Sequence, residues 1–150
     1  MGDLPGPEPG DTLTSLVDAV VAVHGAFLAE GDALVAEFDL TAARWLVLGA
    51  IQDHPRTASE IARLRGLRRQ SVRETVTRLE RDGLITSQPN DADRRASLLV
   101  PTRKGRRALA SIEPKRAGWA RELENDLDAR ALQSAVAFLT QLRAQLDARR

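Results

Sequence analysis

Ser71-Val-Arg-Glu-Thr-Val-Thr-Arg-Leu-Glu-Arg-Asp-Gly83, continued by Leu84-Ile85 and then by Asp91-Ala-Asp-Arg-Arg-Ala-Ser-Leu-Leu-Val-Pro-Thr102, is the stretch on which the fold turns. Val72, Val76 and Leu79 recur at three- and four-residue steps, the period of one buried helix edge. The other face carries Arg69, Gln70, Arg73, Glu74 and Thr77. Gly83 stands where a left-handed helix stop is wanted. Two short strand-like pieces follow, Leu84–Ser87 and Ser97–Val100, around a polar tip from Pro89 to Arg95. The pattern predicts a helix leading into a two-stranded ribbon with arginines at its tip.

Upstream, Thr57-Ala-Ser-Glu60 is a capping box, in which threonine and glutamate each satisfy the other's backbone amide. Ile61, Ala62 and Leu64 are the expected buried edge of the helix it starts, Gly66 ends that helix, and Leu67 leads into the arginine-rich one. A short helix, a glycine turn and a second helix with a polar face make a helix-turn-helix. Before it, Thr41 caps a helix whose inner edge is Trp45, Leu48 and Ile51, with Leu40 stapled onto Trp45. Asp53-His54-Pro55 closes that helix, because proline disfavours helix at the residue before it. The fold class expected is mainly α with a small β-wing, a winged helix-turn-helix core spanning 39–105.

Long amphipathic helices flank this core. Residues 1–10, with three prolines and three glycines, suggest a disordered tail. Thr12 to Phe38 forms one stripe through Leu13, Leu16, Val17, Val20, His24, Phe27, Leu28, Leu34, Val35 and Phe38, weakened at Gly25 and Gly31. Such a length suggests that the helix packs on more than its own fold. After the ribbon, Thr102 caps a helix carrying Leu109, Ile112, Trp119 and Leu123, which Pro114 is expected to kink or interrupt. Asp128 caps the last helix, with Leu127 stapled on Leu132, and Leu132, Val136, Leu139, Leu142 and Leu146 form a near-heptad stripe.

The 150 residues suit one domain, and their formal net charge of +1 hides a strong division. Residues 1–62 hold two basic against ten acidic residues, and residues 63–107 hold thirteen basic against five acidic. The remainder, 108–150, is nearly balanced at seven against six. A basic block of this kind is the electrostatic footprint of a polyanion partner. Cysteine is absent, which removes disulfides, thiolate metal sites and thiol sensing together. No signal peptide is discerned and no apolar run approaches the roughly 20 residues of a membrane span, so a cytoplasmic protein without membrane contact is expected.

Catalysis finds no support. His24 and His54 lack a neighbouring serine or carboxylate motif, and tyrosine is absent. Glu122, Glu124, Asp126 and Asp128 cluster near a helix junction, where an acidic solvated turn explains them. No spacing suggests a metal site or a bound cofactor.

DNA reading fits better. A helix fits the major groove, where Arg73 suits guanine, Gln70 adenine and Glu74 the amino group of cytosine, with Thr77 beside them. Arg68 and Arg69 lie at the helix start, where two arginines conflict with the helix dipole unless a phosphate binds there. The alternative is a solvated helix face, which usually mixes its charges. Here Arg63, Arg65, Arg68, Arg69, Arg73, Arg78 and Arg81 meet only Glu74, Glu80 and Asp82. At the tip, Arg94 and Arg95 suit the negative potential of a minor groove, and Asp93 suits an ion pair that holds an arginine extended. The alternative there is an ordinary charged turn built on Asn90 and Asp91.

Six short motifs now stand in order: Leu40-Thr-Ala-Ala-Arg-Trp-Leu-Val-Leu48, Thr57-Ala-Ser-Glu-Ile-Ala62, Arg69-Gln-Ser-Val72, Arg78-Leu-Glu-Arg-Asp-Gly-Leu-Ile85, Asp93-Arg-Arg95 and Thr102-Arg-Lys-Gly105. Together they resemble the MarR family of bacterial transcription regulators, residue by residue from about Leu40 to Leu109 and in arrangement alone beyond. The resemblance implies a homodimer whose outer helices, 11–38 and 106–150, form the dimerisation region. It implies double-stranded DNA as partner, a palindromic operator and, by family habit, repression. The DNA-binding residues it suggests are Arg68, Arg69, Gln70, Ser71, Arg73, Glu74, Thr77, Arg78, Arg94 and Arg95, with Asp93 stabilising the wing. It further implies a cleft for a small aromatic or anionic effector, for which the matching positions are His24, Phe27, Arg44 and Trp45, with Trp119 more distant from the pattern. Each also has a plainer reading: Trp45 as core, His24 as a core or interface histidine, Arg44 as a surface charge. Two positions depart from the family pattern: Arg68 replaces the usual polar cap, and Pro101 the usual leucine. The competing hypothesis is a winged helix that binds another protein, which should not need so basic a recognition helix and ribbon.

Overall fold

The computed structural model describes residues 8–150. In order they form α1 (Asp11–Val35), a 3-10 turn (Ala36–Phe38), α2 (Ala42–Gly49), α3 (Ala58–Arg65), α4 (Arg69–Arg81), β1 (Ile85–Gln88), β2 (Leu98–Pro101), α5 (Arg103–Asn125) and α6 (Ala129–Asp147). The fold is mainly α with one small antiparallel sheet, as expected from the sequence. The chain divides into two compact units, Met1–Ile112 and Glu113–Arg150. The tail expected over 1–10 lies outside the described residues as far as residue 7. Residues 8–10 form a turn into α1, in which the Asp11 amide donates to Glu8 O and the Glu8 amide to Asp11 Oδ2, both at 3.0 Å.

In the first unit, α2, α3 and α4 enclose the core. Leu48, Ile51, Ile61, Val72 and Leu79 are sealed from solvent, and Val35, Leu99 and Ile112 close it from other elements. Thr41 caps α2 through the Arg44 amide, and the Thr57–Glu60 box is complete: Glu60 N donates to Thr57 Oγ1 at 3.2 Å and Thr57 N to Glu60 Oε2 at 2.7 Å. Leu64 departs from expectation, being 43 % exposed. The chain turns back at Gly66 (φ 65°), where the Leu67 amide reaches Ala62 O, and so Leu67 packs against the core in its place.

The α4 stop follows from the same chemistry. Gly83 has φ 72°, its amide donates to Glu80 O at 3.0 Å, and the Leu84 amide donates to Leu79 O at 2.9 Å. This is the Schellman arrangement. With its amide committed there, Leu84 cannot open the ladder, and β1 begins one residue later than the sequence suggested. The register pairs Ile85 with Pro101 and Gln88 with Leu98. On the other side of β2, Arg56 and Leu99 exchange both backbone bonds, adding a one-residue third strand to the wing.

Two glycines mark close approaches. A Cβ at Gly31 would stand 2.9 Å from that of Ala42, so α1 and α2 meet there backbone to backbone. Beside it, the Ala42 amide donates to Asp32 Oδ1 at 2.7 Å, which gives α2 a second cap from α1. A Cβ at Gly105 would collide with the Leu84 carbonyl. Around that contact Thr102 Oγ1 donates to Gly83 O at 2.6 Å and accepts from the Gly105 amide at 3.1 Å, and Lys104 Nζ donates to Asp82 O at 2.8 Å. Thr102-Arg-Lys-Gly105 thus ties the start of α5 to the end of α4.

Helix α5 runs through Pro114 without interruption, contrary to one of the two outcomes expected for it. In the second unit Asp128 caps α6 through the Ala131 amide at 2.6 Å. Val136 and Leu146 on α6 are more than half exposed, as are Leu13, Val17 and Phe27 on α1. The segment Asp11–Phe38 is, at 28 residues, long and apolar enough to cross a membrane by length and composition. That corrects the sequence reading: alanine and glycine between the branched residues lengthen the apolar run without being striking one by one.

Candidate nucleic-acid interface

Helix α4 buries Val72, Val76 and Leu79, and this fixes which side chains its other face presents. Arg68, Arg69, Gln70, Ser71, Arg73, Glu74, Thr77 and Arg78 are all exposed. Among the described residues none of the four arginines in this set has an ion pair. Helix α4 starts without a side-chain cap, because Arg68 occupies the cap position in an extended conformation. Its first-turn amides therefore lack the side-chain acceptor that α2 and α3 have, and a phosphate oxygen suits them.

The polar face is ordered within itself. Gln70 Nε2 donates to Glu74 Oε1 at 3.2 Å, one helical turn along. Thr77 Oγ1 donates to Arg73 O at 3.0 Å, which spends its hydrogen and leaves the oxygen as acceptor.

The wing tip combines both sequence readings. Arg94 and Arg95 are exposed. Asp93 Oδ1 accepts from the Arg95 amide at 3.0 Å, and Asn90 Oδ1 accepts from the Ala92 amide at 3.2 Å. Asp93 thus braces the turn through the backbone, and among the described residues it forms no ion pair with an arginine side chain. A carboxylate two residues before a free amide closes an Asx turn more cheaply than it can hold a long, solvated arginine.

Arg65, which looked like part of the DNA-facing charge, serves the scaffold, as does Arg56 from outside the basic block. Arg56 Nη1 donates to Ala50 O at 2.9 Å and Arg65 Nε to Leu46 O at 3.1 Å. Both place positive charge on carbonyls at the C-terminal end of α2, where the helix dipole favours it. Burial pushes the Arg65 guanidinium below its ordinary range, and Arg56 adds to the shift. Helix α2 itself ends at Gly49, short of the Asp53-His54-Pro55 stop read from the sequence. No local pattern announces the two arginine bonds, because each partner lies in another element.

The effector candidates come from separate elements. His24 and Phe27 lie on the exposed surface of α1. Arg44 is engaged twice, donating through Nη1 to Asp39 O at 3.2 Å and to Asp82 Oδ2 at 3.4 Å. Trp45 is half-buried and packs on the core beside Gly31. Trp119 belongs to the second unit. There, a 690 Å³ cavity is lined by Arg121, Glu122, Asn125 and Leu132 among others, and by none of the candidates. Among the described residues no group of three or more His, Asp or Glu side chains could hold a metal ion.

A model of the MarR family matches residues 38–96. An uncharacterized protein of Mycobacterium tuberculosis is 31 % identical over 140 residues, covering 93 % of this chain and 98 % of the relative. The transcriptional activatory protein BadR of Rhodopseudomonas palustris is 28 % identical over 109 residues, 69 % of this chain and 62 % of BadR. Among solved structures, a MarR family transcriptional regulator from Silicibacter pomeroyi superposes with a TM-score of 0.78 at 25 % identity, covering 97 % of this chain and 99 % of the other. The Staphylococcus aureus MepR–DNA complex gives 0.75 at 20 % identity, with 85 % and 95 % covered. Staphylococcus aureus MarR with salicylate and kanamycin gives 0.69 at 20 %, with 90 % and 92 % covered.

Proposed function

This chain belongs to the MarR family of transcription regulators, and from that premise we propose that it is a homodimeric repressor that binds a palindromic operator through α4 and the wing. The observation that carries the proposal is the exposed face of α4, where four arginines without an ion pair, Arg68, Arg69, Arg73 and Arg78, surround Gln70, Glu74 and Thr77. In this reading Arg68, Arg69 and Arg78 contact phosphates, Arg73 reads a base, Ser71 lies at the helix start beside the backbone, and Arg94 and Arg95 enter the flanking minor groove. MepR, a structural neighbour, was solved on DNA. A second copy, rather than lipid, covers the exposed apolar faces of α1 and α6, and the protein works in the cytoplasm without a cofactor or catalytic role.

Repression is the simpler consequence of such binding, since a dimer across a promoter blocks polymerase by occupancy alone. BadR shows that a relative can carry the opposite sign. An aromatic anion, the kind of molecule bound by Staphylococcus aureus MarR as salicylate, is the effector class to test. Arg44 keeps guanidinium donors beyond the Nη1 that Asp39 O and Asp82 occupy, so any release of DNA by salicylate that uses it should be lost in Arg44→Ala.

The test is fluorescence anisotropy with the DNA upstream of the protein's own reading frame, against a random duplex, at low and physiological salt. Preference for the upstream duplex that survives at physiological salt supports a specific regulator. Equal binding to both, falling steeply with salt, contradicts self-regulation and leaves only the counterion-release component of affinity. No binding even at low salt favours the protein-interaction module instead.

A further inference from the structure

We propose that Gln70 and Glu74 act as one specificity unit that selects a C·G base pair by its cytosine N4 amino group in the major groove. Glu74 in addition lowers affinity for DNA of the wrong sequence. The inference rests on the DNA-reading function proposed above and names what that face selects.

The geometry starts from the 3.2 Å bond from Gln70 Nε2 to Glu74 Oε1. Only the amino end of a carboxamide can donate to a carboxylate, so the bond settles which way Gln70 is turned: its carbonyl oxygen points away from Glu74. The pair then offers acceptors to a partner, namely the Gln70 carbonyl and the second Glu74 oxygen. Thr77 adds a third, because its hydroxyl hydrogen is already given to Arg73 O. An acceptor patch therefore sits within a face whose other members, Arg69, Arg73 and Arg78, are donors.

The major groove supplies few matches for such a patch. Guanine shows acceptors at N7 and O6 and thymine one at O4, while cytosine N4 and adenine N6 donate. A carboxylate against guanine, thymine or a phosphate meets like polarity, and against cytosine N4 it receives a hydrogen bond. Glu74 thereby penalises the registers in which the arginines would otherwise hold any duplex. Gln70 keeps the carboxylate from swinging to a neighbouring arginine, which makes Gln70 a positioning residue as well as a reader.

The test is selection from a randomised duplex pool by the full-length parent, Glu74→Gln, Glu74→Ala and Gln70→Ala, together with random-duplex affinity at physiological salt. All three substitutions are at exposed positions, and circular dichroism of each variant checks the fold. The parent should enrich a C·G pair, in one strand orientation, at one position of each half-site. Glu74→Ala should lose about tenfold preference at that position, keep the others, and bind random duplex several-fold more tightly. Glu74→Gln should move the preference toward adenine, and Gln70→Ala should blunt it. A Glu74→Ala protein with the parent's preferences at every position and the parent's random-duplex affinity overturns the inference while leaving DNA reading intact. A parent that enriches no sequence overturns both.

Discussion

Arg73 carries the sharpest expectation at the scale of single residues. It projects from the α4 face with no ionic partner among the described residues, so its guanidinium is available to a guanine edge. Arg73→Ala should cost about 1–3 kcal/mol in specific binding and relax selectivity at one base position, read by anisotropy on single-base operator variants. Gly105 carries the sharpest structural one. Gly105→Ala drives a methyl group into the Leu84 carbonyl, and the α4–α5 tie must shift to admit it. Thermal unfolding should register a loss of about 1–3 kcal/mol. Asp32→Ala removes one of the two caps on α2 and should cost about 1 kcal/mol by the same assay. These positions differ in how they could be found. Gly83 and Thr57 announce themselves, because their partners lie within a few residues and turn and cap chemistry is local. Asp32, Arg56 and Arg65 do not: an aspartate inside a helix, or an arginine in a loop or a basic run, has no distinguishing neighbour until the fold brings Ala42, Ala50 and Leu46 to it.

Among elements, α3 gives the clearest pH dependence. The Glu60 carboxyl lies below the ordinary carboxylate range chiefly because it accepts the Thr57 backbone amide; burial opposes the shift, and Arg56 and Arg63 add to it. A folded value below the unfolded one gives stability that is present above the unfolded value and lost as pH falls through the folded one. Because Glu60 is exposed, the effect is small. Melting temperature should therefore fall more steeply for the parent than for Glu60→Gln between about pH 6 and about pH 3. An equal slope in the two proteins would show that the box is held by Thr57 alone. The helices were legible in the sequence through their caps: Thr41, Thr57 and Asp128 each accept the amide three residues on. The strands were legible to within one residue, and the shift has a cause in Leu84, whose amide belongs to the helix stop. The one-residue strand at Arg56 was not legible, since a single residue has no alternation to read. Leu64 was misplaced because it follows Ile61 by a helical step, yet within α3 it stays exposed and Leu67, beyond the Gly66 turn, makes the core contact.

The whole molecule leaves two apolar helix faces in water, that of α1 in the first unit and that of α6 in the second. Val17 is 51 % exposed and Val136 60 %, each among further exposed leucine, valine or phenylalanine side chains on its helix. Faces of this extent mark association surfaces rather than ordinary solvated helix. The mass in solution at micromolar concentration should be twice that of the 16.4 kDa chain. Val17→Asp and Val136→Asp should each shift that mass toward the monomer and weaken operator binding, without touching α4. The basic block and the recognition helix were both evident from the sequence, whereas the candidate effector residues are spread over separate elements. Reading a helix face needs one periodic segment; reading a cleft needs the relative placement of several. In the proposed complex, α4 of two copies reads two halves of one site. Hydroxyl-radical and guanine-methylation footprinting of the selected operator tests it most directly. Two protected major-groove windows, related by a two-fold axis and about one helical turn of roughly 10 base pairs apart, with flanking minor-groove protection from the wings, are the predicted result. A single window, or protection spread evenly along the duplex, would contradict it.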